Sequence, residues 1–106
     1  MPESFVYITC ASTGEAEAIG AVLVERRLAA CANILPGMRS LYWWRGKVER
    51  GEEAVLIVKT RTELVDELTA AVKAVHSYEV PCVVALPLTG GNPDFLKWIR
   101  DETGGA

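Results

Sequence analysis

The sequence predicts an α+β fold in which four strands form an antiparallel sheet and two helices cover one of its faces. Runs rich in β-branched and aromatic residues alternate with segments of helical periodicity, in the order β-α-β and again β-α-β. The second and third strands are separated by a short turn, which favours a hairpin. The chain has 106 residues, of which 50% are apolar, so residues 1–106 are expected to form a single domain with its own core.

The first strand is predicted at residues 5–11, FVYITCA, where aromatic and β-branched residues dominate. Ser12 and Glu15 then have the spacing of a capping box at the start of a helix. Apolar residues recur at helical spacing as far as Leu28, so we expect the first helix to end near that residue.

The second strand is predicted at residues 32–44, with a bend or interruption at Pro36-Gly37. Arg45-Gly46 is typical of a tight turn, and the third strand is predicted at residues 53–60, EAVLIVKT. Strands joined so closely should pair as an antiparallel hairpin.

The second helix is predicted to begin with another capping box, from Thr60 to Glu63. Pro81 cannot lie inside this helix, so the helix should end near residues 76–78. The fourth strand is predicted at residues 82–88, CVVALPL.

After Gly90-Gly91, Asn92 and Pro93 have the N-cap and first-turn pattern of a short last helix. Its apolar residues are Phe95, Leu96, Trp98 and Ile99. Residues 103–106, TGGA, are expected to fray. The resulting order, β-α-β-β-α-β plus a short C-terminal helix, is the ferredoxin-like split βαβ arrangement.

The predicted sheet has apolar residues on both faces. In the third strand Val55 and Ile57 point one way, and Leu56 and Val58 point the other. The second strand also places large apolar residues on both faces, namely Leu41, Tyr42, Trp43 and Trp44. Because monomers rarely expose so large an apolar face, we expect a homo-oligomer with these aromatic residues in its core or interface.

Composition and motifs argue against several classes of protein. The net charge is −3 and no basic run occurs, which argues against nucleic-acid binding, including base stacking on the aromatic cluster. The longest apolar runs are far too short to span a membrane. An odd count of three cysteines without a Cys-x-x-Cys motif, and no signal-peptide pattern, predict a reduced cytoplasmic protein. No Gly-rich phosphate loop and no nucleophile-base pattern are present, so we do not expect an enzyme.

Five blocks of sequence resemble the CutA divalent-cation-tolerance family and stand in order over nearly the whole chain. They are RLAACANI at 27–34, SLYWWRG at 40–46, EAVLIVKT at 53–60, YEVP at 78–81 and FLKWI at 95–99. The resemblance implies a ferredoxin-like protomer in a tight homotrimer, similar in design to PII signalling proteins. It also implies a role in tolerance of copper and other divalent metals.

The resemblance further implies a metal site at Cys10 and His76. The family's first histidine is absent, since Val75 occupies its place. Thiolate and imidazole suit copper and zinc, but two ligands are too few for a closed site. The alternative is structural: Cys10 packs in the core, and His76 caps a carbonyl at a helix end. Cys82 is a weaker candidate ligand. No obligatory cofactor is expected, and Cu(II) or another divalent ion is the candidate ligand.

A second candidate site is a cleft for a small anion or polar ligand, in which residues at strand and helix ends within the family blocks converge between subunits. Its members are Lys59, Thr60, Tyr78, Glu79 and Trp98. The alternative is that the aromatic residues pack in the protein and the lysine is solvated. Two functions therefore remain open. One is a metal-tolerance trimer, and the other is a PII-like regulatory or scaffolding trimer that binds a small ligand or a partner protein.

Overall fold

A computed structural model describes residues 2–104 of the chain. The elements are β1 (Glu3–Cys10), α1 (Thr13–Glu25), β2 (Cys31–Trp44), β3 (Lys47–Arg61), a 3-10 turn (Thr62–Leu64), α2 (Val65–Val75), β4 (Val83–Pro87) and α3 (Pro93–Asp101). The strand order is β2-β3-β1-β4, and all three neighbouring pairs are antiparallel. The predicted α+β, ferredoxin-like arrangement is confirmed.

The core lies between the sheet and the helices α1 and α2. Alternate residues of the central strands face it, as the period of a strand requires. The buried cluster includes Val6, Ile8, Cys10, Leu56 and Val58 from the sheet, and Ile19, Leu23, Leu68 and Val72 from the helices. Side chains at the intervening strand positions therefore point to the opposite, helix-free face.

The hairpin of β2 and β3 is longer than the sequence pattern predicted. Arg45 and Gly46 both have positive φ, 50° and 81°, as a two-residue turn of type I′ requires. The tight turn is therefore confirmed. The predicted start of β3 at residue 53 is wrong, because Lys47 already pairs with Trp44. Residues 47–52 include charged residues and a glycine, and they lack the apolar alternation of a strand. They form a strand because they pair with β2 across the hairpin.

A β-bulge interrupts the register of the hairpin between Leu35 and Met38. Gly37 has a φ of 73°, which a glycine adopts without steric cost. The bulge confirms the irregularity predicted at Pro36-Gly37, although β2 continues through it. The extra residue shifts the alternation of side chains along β2 by one position. Leu35 before the bulge therefore lies on the same helix-free face as Met38 and Tyr42 after it.

The first helix ends three residues before the predicted end at Leu28. Arg27 adopts a φ of 58°, which a continuing α-helix does not allow. The backbone N–H groups of Leu28 and Ala29 both donate to the carbonyl of Leu23, at 2.9 and 3.1 Å. Leu28 is nevertheless buried in the core. The last apolar residue of the helical pattern therefore packs from the loop that follows α1 and not from the helix.

The predicted capping box from Thr60 to Glu63 is wrong. Thr60 still belongs to β3, because it pairs with Ser4 of β1. The helix α2 starts later, with Leu64 as its N-cap and no side-chain cap. The hydroxyl of Thr62 instead lies 2.7 Å from the hydroxyl of Ser4. Pairing with β1 therefore outweighed the local capping signal.

The helix α3 begins as predicted, but the segment after it is more ordered than expected. Pro93 is its first residue, and the side chain of Asn92 accepts a hydrogen bond from the N–H of Asp94 at 3.0 Å. Fraying is wrong for residues 103–104. Thr103 is buried, its hydroxyl donates to the Ile99 carbonyl at 2.8 Å, and the Gly104 N–H donates to a carbonyl in the loop after α1. Residues 105–106 lie outside the described residues.

The helix α3 covers only one end of the helix-free face. Arg100 binds the carboxylate of Glu3 at 3.0 Å, and Arg61 donates to the hydroxyl of Thr103 at 3.2 Å. Glu3 and Arg61 are partners across β1 and β3. Further along the same face, large apolar side chains stay about half exposed, namely Leu35, Val84 and Leu86.

Candidate functional site

Cys10, Glu15 and His76 form a cluster where β1 ends, α1 begins and α2 ends. One potential ligand atom from each residue lies within 4.8 Å of the other two. The structure therefore brings together the two residues predicted as metal ligands and adds a carboxylate. The short connection between β1 and α1 places Cys10 beside Glu15, and the antiparallel packing of α2 brings His76 to the same end of the sheet.

Glu15 was assigned only a capping role from the sequence. Half of the predicted capping box forms, since the hydroxyl of Ser12 accepts from the N–H of Glu15 at 3.1 Å. The carboxylate of Glu15 does not return to Ser12. It accepts from the N–H groups of Ala11 and Ser77, each at 2.9 Å. Its place in the first turn of α1, a few residues after the end of β1, was the available signal, but the sequence did not show that residue 77 would come within reach.

The hydrogen bonds of Glu15 favour its charged form. Burial acts to raise the pKa of this carboxyl group, but the hydrogen bonds from Ala11 and Ser77 outweigh it, with help from nearby His76. The net effect is a pKa below the ordinary value. Glu15 is therefore an anionic oxygen donor at neutral pH.

Both ring nitrogens of His76 have partners. Nε2 lies 2.7 Å from the carbonyl oxygen of Thr9, and Nδ1 accepts from the N–H of Tyr78 at 3.0 Å. Since a carbonyl only accepts, the proton is on Nε2. His76 therefore donates a hydrogen bond to a carbonyl, as expected if its role is structural. The carbonyl belongs to β1, however, and not to a helix end. A metal ion has to displace one of these two partners.

Cys10 is a fully buried thiol. Burial first, and then the charges of Glu15 and Glu53, raise its pKa to about 11. A metal ion that binds here has to displace the thiol proton. The donor set of thiolate, imidazole and carboxylate nevertheless suits Cu(II) or Zn(II), so the residues fit a divalent metal once their present hydrogen bonds rearrange.

The residues of the predicted anion cleft lie at separate places in one chain. Lys59 donates to Asn33 Oδ1 at 2.8 Å and lies 6.0 Å from the ring centre of Phe95. The ring centres of Phe95 and Trp98 are 5.4 Å apart. This group occupies the end of the sheet covered by α3, where β1 begins.

Tyr78 and Glu79 lie at the other end of the sheet, beyond the end of β1. Thr60 belongs to neither group, because its side chain is fully buried and its hydroxyl has no hydrogen-bond partner. The side chain of Thr60 is therefore not available to line a cleft in one chain, and the cleft between subunits stays a prediction. Lys59 cannot complement Tyr78 unless different copies of the chain supply them.

An open groove of about 700 Å³ lies on the helix-free face, between the long hairpin and the loop that leads to β4. It is lined by Tyr7, Thr9, Met38, Arg39, Ser40, Leu41, Tyr42, Trp44, Glu53, Ser77, Tyr78, Glu79, Val80 and Cys82. At one wall the hydroxyl of Tyr78 donates to Glu53 Oε2 at 2.6 Å. Burial first, then this hydrogen bond and the charge of Glu53, raise the pKa of Tyr78.

The three aromatic residues of the hairpin are divided between its two faces. Tyr42 and Trp44 line the groove, while Trp43 points the other way and is 75% exposed. The guanidinium of Arg45 lies 5.2 Å from the ring centre of Trp44 and binds Glu79 at 2.6 Å. The end of the hairpin is thereby tied to the loop across the groove.

Comparisons with known proteins agree with this fold along almost the whole chain. A family model described as CutA1 divalent ion tolerance protein matches residues 4–102. The divalent-cation tolerance protein CutA of Archaeoglobus fulgidus is 50% identical over 100 residues, covering 94% of this chain and 96% of that protein. The chloroplastic protein CutA 1 of rice is 45% identical over 97% of this chain, and the chain spans 58% of the length of that relative.

Solved structures give the same result. The crystal structure of CutA1 from rice matches with a TM-score of 0.95 at 43% identity, covering 100% of this chain and 97% of that one. The divalent cation tolerance protein from Thermus thermophilus matches with a TM-score of 0.94 at 48% identity, covering 96% and 99%.

The fold and the matches define a ferredoxin-like α+β protein with a long β2-β3 hairpin. The chain belongs to the CutA1 divalent ion tolerance family. The names of these relatives describe ion tolerance and not an enzymatic activity. Between residues 2 and 104, no helix has the length and apolar character needed to cross a bilayer.

Proposed function

We propose that the protein contributes to tolerance of divalent metal ions by binding copper, or another divalent ion, at Cys10, Glu15 and His76. The observation that carries this proposal is the convergence of three different metal-binding groups within 4.8 Å. Because each group already has a proton or a hydrogen bond to give up, we expect weak binding. Water or a residue from a second copy would complete the coordination.

The same proposal includes a homotrimer. Support comes from the apolar side chains left half exposed on the helix-free face, Leu35, Val84 and Leu86, and from the aromatic residues of the hairpin. A second copy would remove these side chains from water. Three free cysteines support a reducing compartment, and we propose the cytoplasm.

A growth assay tests the tolerance function. Cells that lack the gene should grow less well on copper, zinc or cadmium than their parent. A wild-type copy should restore growth, and a Cys10→Ala copy should not. Unchanged sensitivity of the deletion strain to all three metals would contradict the proposal.

A second candidate function is ligand binding by a PII-like regulatory trimer. The observation that favours it is the groove, whose volume of about 700 Å³ is within the range of small-molecule sites. The groove is open on one side, so a neighbouring copy would deepen it into a cleft between subunits. A melting-temperature screen of small ligands tests this function, because a bound ligand stabilises the folded state.

A further inference from the structure

The carboxylate of Glu53 is a negative charge in the groove without a cationic partner. The ion pairs of residues 2–104 do not include Glu53. Its one hydrogen bond comes from the neutral hydroxyl of Tyr78, at 2.6 Å. The nearby carboxylate of Glu79, by contrast, is paired with Arg45. An unpaired charge among aromatic side chains favours a cation as its partner.

Aromatic side chains line the same groove as this carboxylate. Tyr7, Tyr42, Trp44 and Tyr78 all line the groove. A Cβ atom added at Gly51 would lie 3.9 Å from the hydroxyl of Tyr42, so Tyr42 leans over β3 at the residue two positions before Glu53. The faces of aromatic rings attract cations, and Trp44 already has the guanidinium of Arg45 at 5.2 Å.

The positive side chains near the groove do not alter this balance. Arg39 is among the residues that line the groove, but in the register of the hairpin it lies opposite Glu52, and Met38 lies opposite Glu53. Lys59 lies at the far end of the sheet, against Asn33. Among residues 2–104, no basic side chain is therefore paired with Glu53.

We propose that the groove binds a small organic cation, an alkylammonium or guanidinium compound. Its charged head would lie on Glu53, and its alkyl groups would lie against Tyr42 and Tyr78. The inference rests on the second candidate function, ligand binding, and assigns its ligand class. It does not depend on metal binding at Cys10.

Calorimetric titration with four probes of similar size tests the proposal: n-butylammonium, tetramethylammonium, butyrate and butanol, in amine-free buffer with a chelator. We expect saturable binding of the two cations only. Glu53→Gln keeps an oxygen for Tyr78 but removes the charge, and should weaken cation binding by about tenfold or more. Glu52→Gln removes the same charge from the opposite face of β3 and should leave binding unchanged.

A Tyr42→Leu variant removes one aromatic wall without touching the carboxylate and should also weaken binding of tetramethylammonium. Equal binding of butyrate or butanol would overturn the cation assignment while the ligand-binding function survived. No saturable binding of any probe would overturn the cation assignment, and the melting-temperature screen tests the ligand-binding function separately. Loss of the oligomer in Glu53→Gln, together with no amine binding in the wild type, would assign the groove to a cationic side chain of a second copy and overturn the proposal.

Discussion

At the scale of single residues, the hydroxyl of Thr60 is an uncompensated polar group in the core. The side chain is fully buried and its oxygen has no hydrogen-bond partner. Thr60→Val replaces the hydroxyl with a methyl group of similar size in a strand. We expect it to raise the free energy of unfolding by about 1 kcal/mol, measured by urea denaturation.

Thr62→Val is the matched control, because the hydroxyl of Thr62 does have a partner, Ser4, at 2.7 Å. Its loss leaves the buried hydroxyl of Ser4 unpaired, so stability should fall by about 1 kcal/mol. Equal effects of the two substitutions would show that the hydroxyl of Thr60 is satisfied in solution.

Glu15 should make stability depend on pH. Its pKa is lowered in the folded state, so its contribution is present above the unfolded-state pKa, about 4.3. The contribution is lost as the pH falls through the lower, folded-state value. The melting temperature, measured with a chelator present, should therefore fall on acidification less steeply in Glu15→Gln than in the wild type. Parallel curves would contradict this role.

At the scale of elements, the bulge in β2 depends on a glycine. Gly37 has a φ of 73° and open space around its Cβ position, so backbone strain alone opposes a side chain there. Gly37→Ala should lower the free energy of unfolding by about 1 kcal/mol. Gly90 also has open space but no positive φ, so Gly90→Ala should change stability little. Similar losses in both variants would contradict this explanation.

Sequence patterns predicted the elements well where local chemistry decides them. The alternation in β1, the N-cap at Asn92 and the tight turn at Arg45-Gly46 are local features, and the structure confirms them. The sequence patterns gave wrong predictions where contacts with a distant segment determine the local structure. Pairing with β1 holds Thr60 in β3, and a loop beyond α2 draws the carboxylate of Glu15 away from its capping position.

The candidate site shows the same division. The sequence and its family resemblance supplied Cys10 and His76, because each belongs to a recognisable position in the chain. The fold, and not a sequence pattern, shows that the carboxylate of Glu15 lies beside these two residues. The residues of the predicted cleft do not meet within one chain, because Lys59 and Tyr78 lie at opposite ends of the sheet. Their convergence between subunits stays a prediction, since a linear pattern does not show which end of the sheet each block reaches.

At the scale of the whole molecule, the helix-free face should hold the oligomer together. Leu86→Lys places a charge on this face, where the side chain is half exposed in one chain. We expect the molar mass by light scattering to fall to that of a single chain. Val24→Lys is the control, because Val24 is also partly exposed but lies on α1. A wild type that is already monomeric would contradict the proposed assembly.

The most direct test of the proposed function is a calorimetric titration of the reduced protein with Cu(II). The wild type, Cys10→Ala, His76→Ala and the control Cys82→Ala should be compared after circular dichroism has shown that each is folded. We predict one saturable site that is lost in the first two variants and kept in the control. No saturable site, or a site indifferent to Cys10 and His76, would contradict metal binding and leave both residues with structural roles.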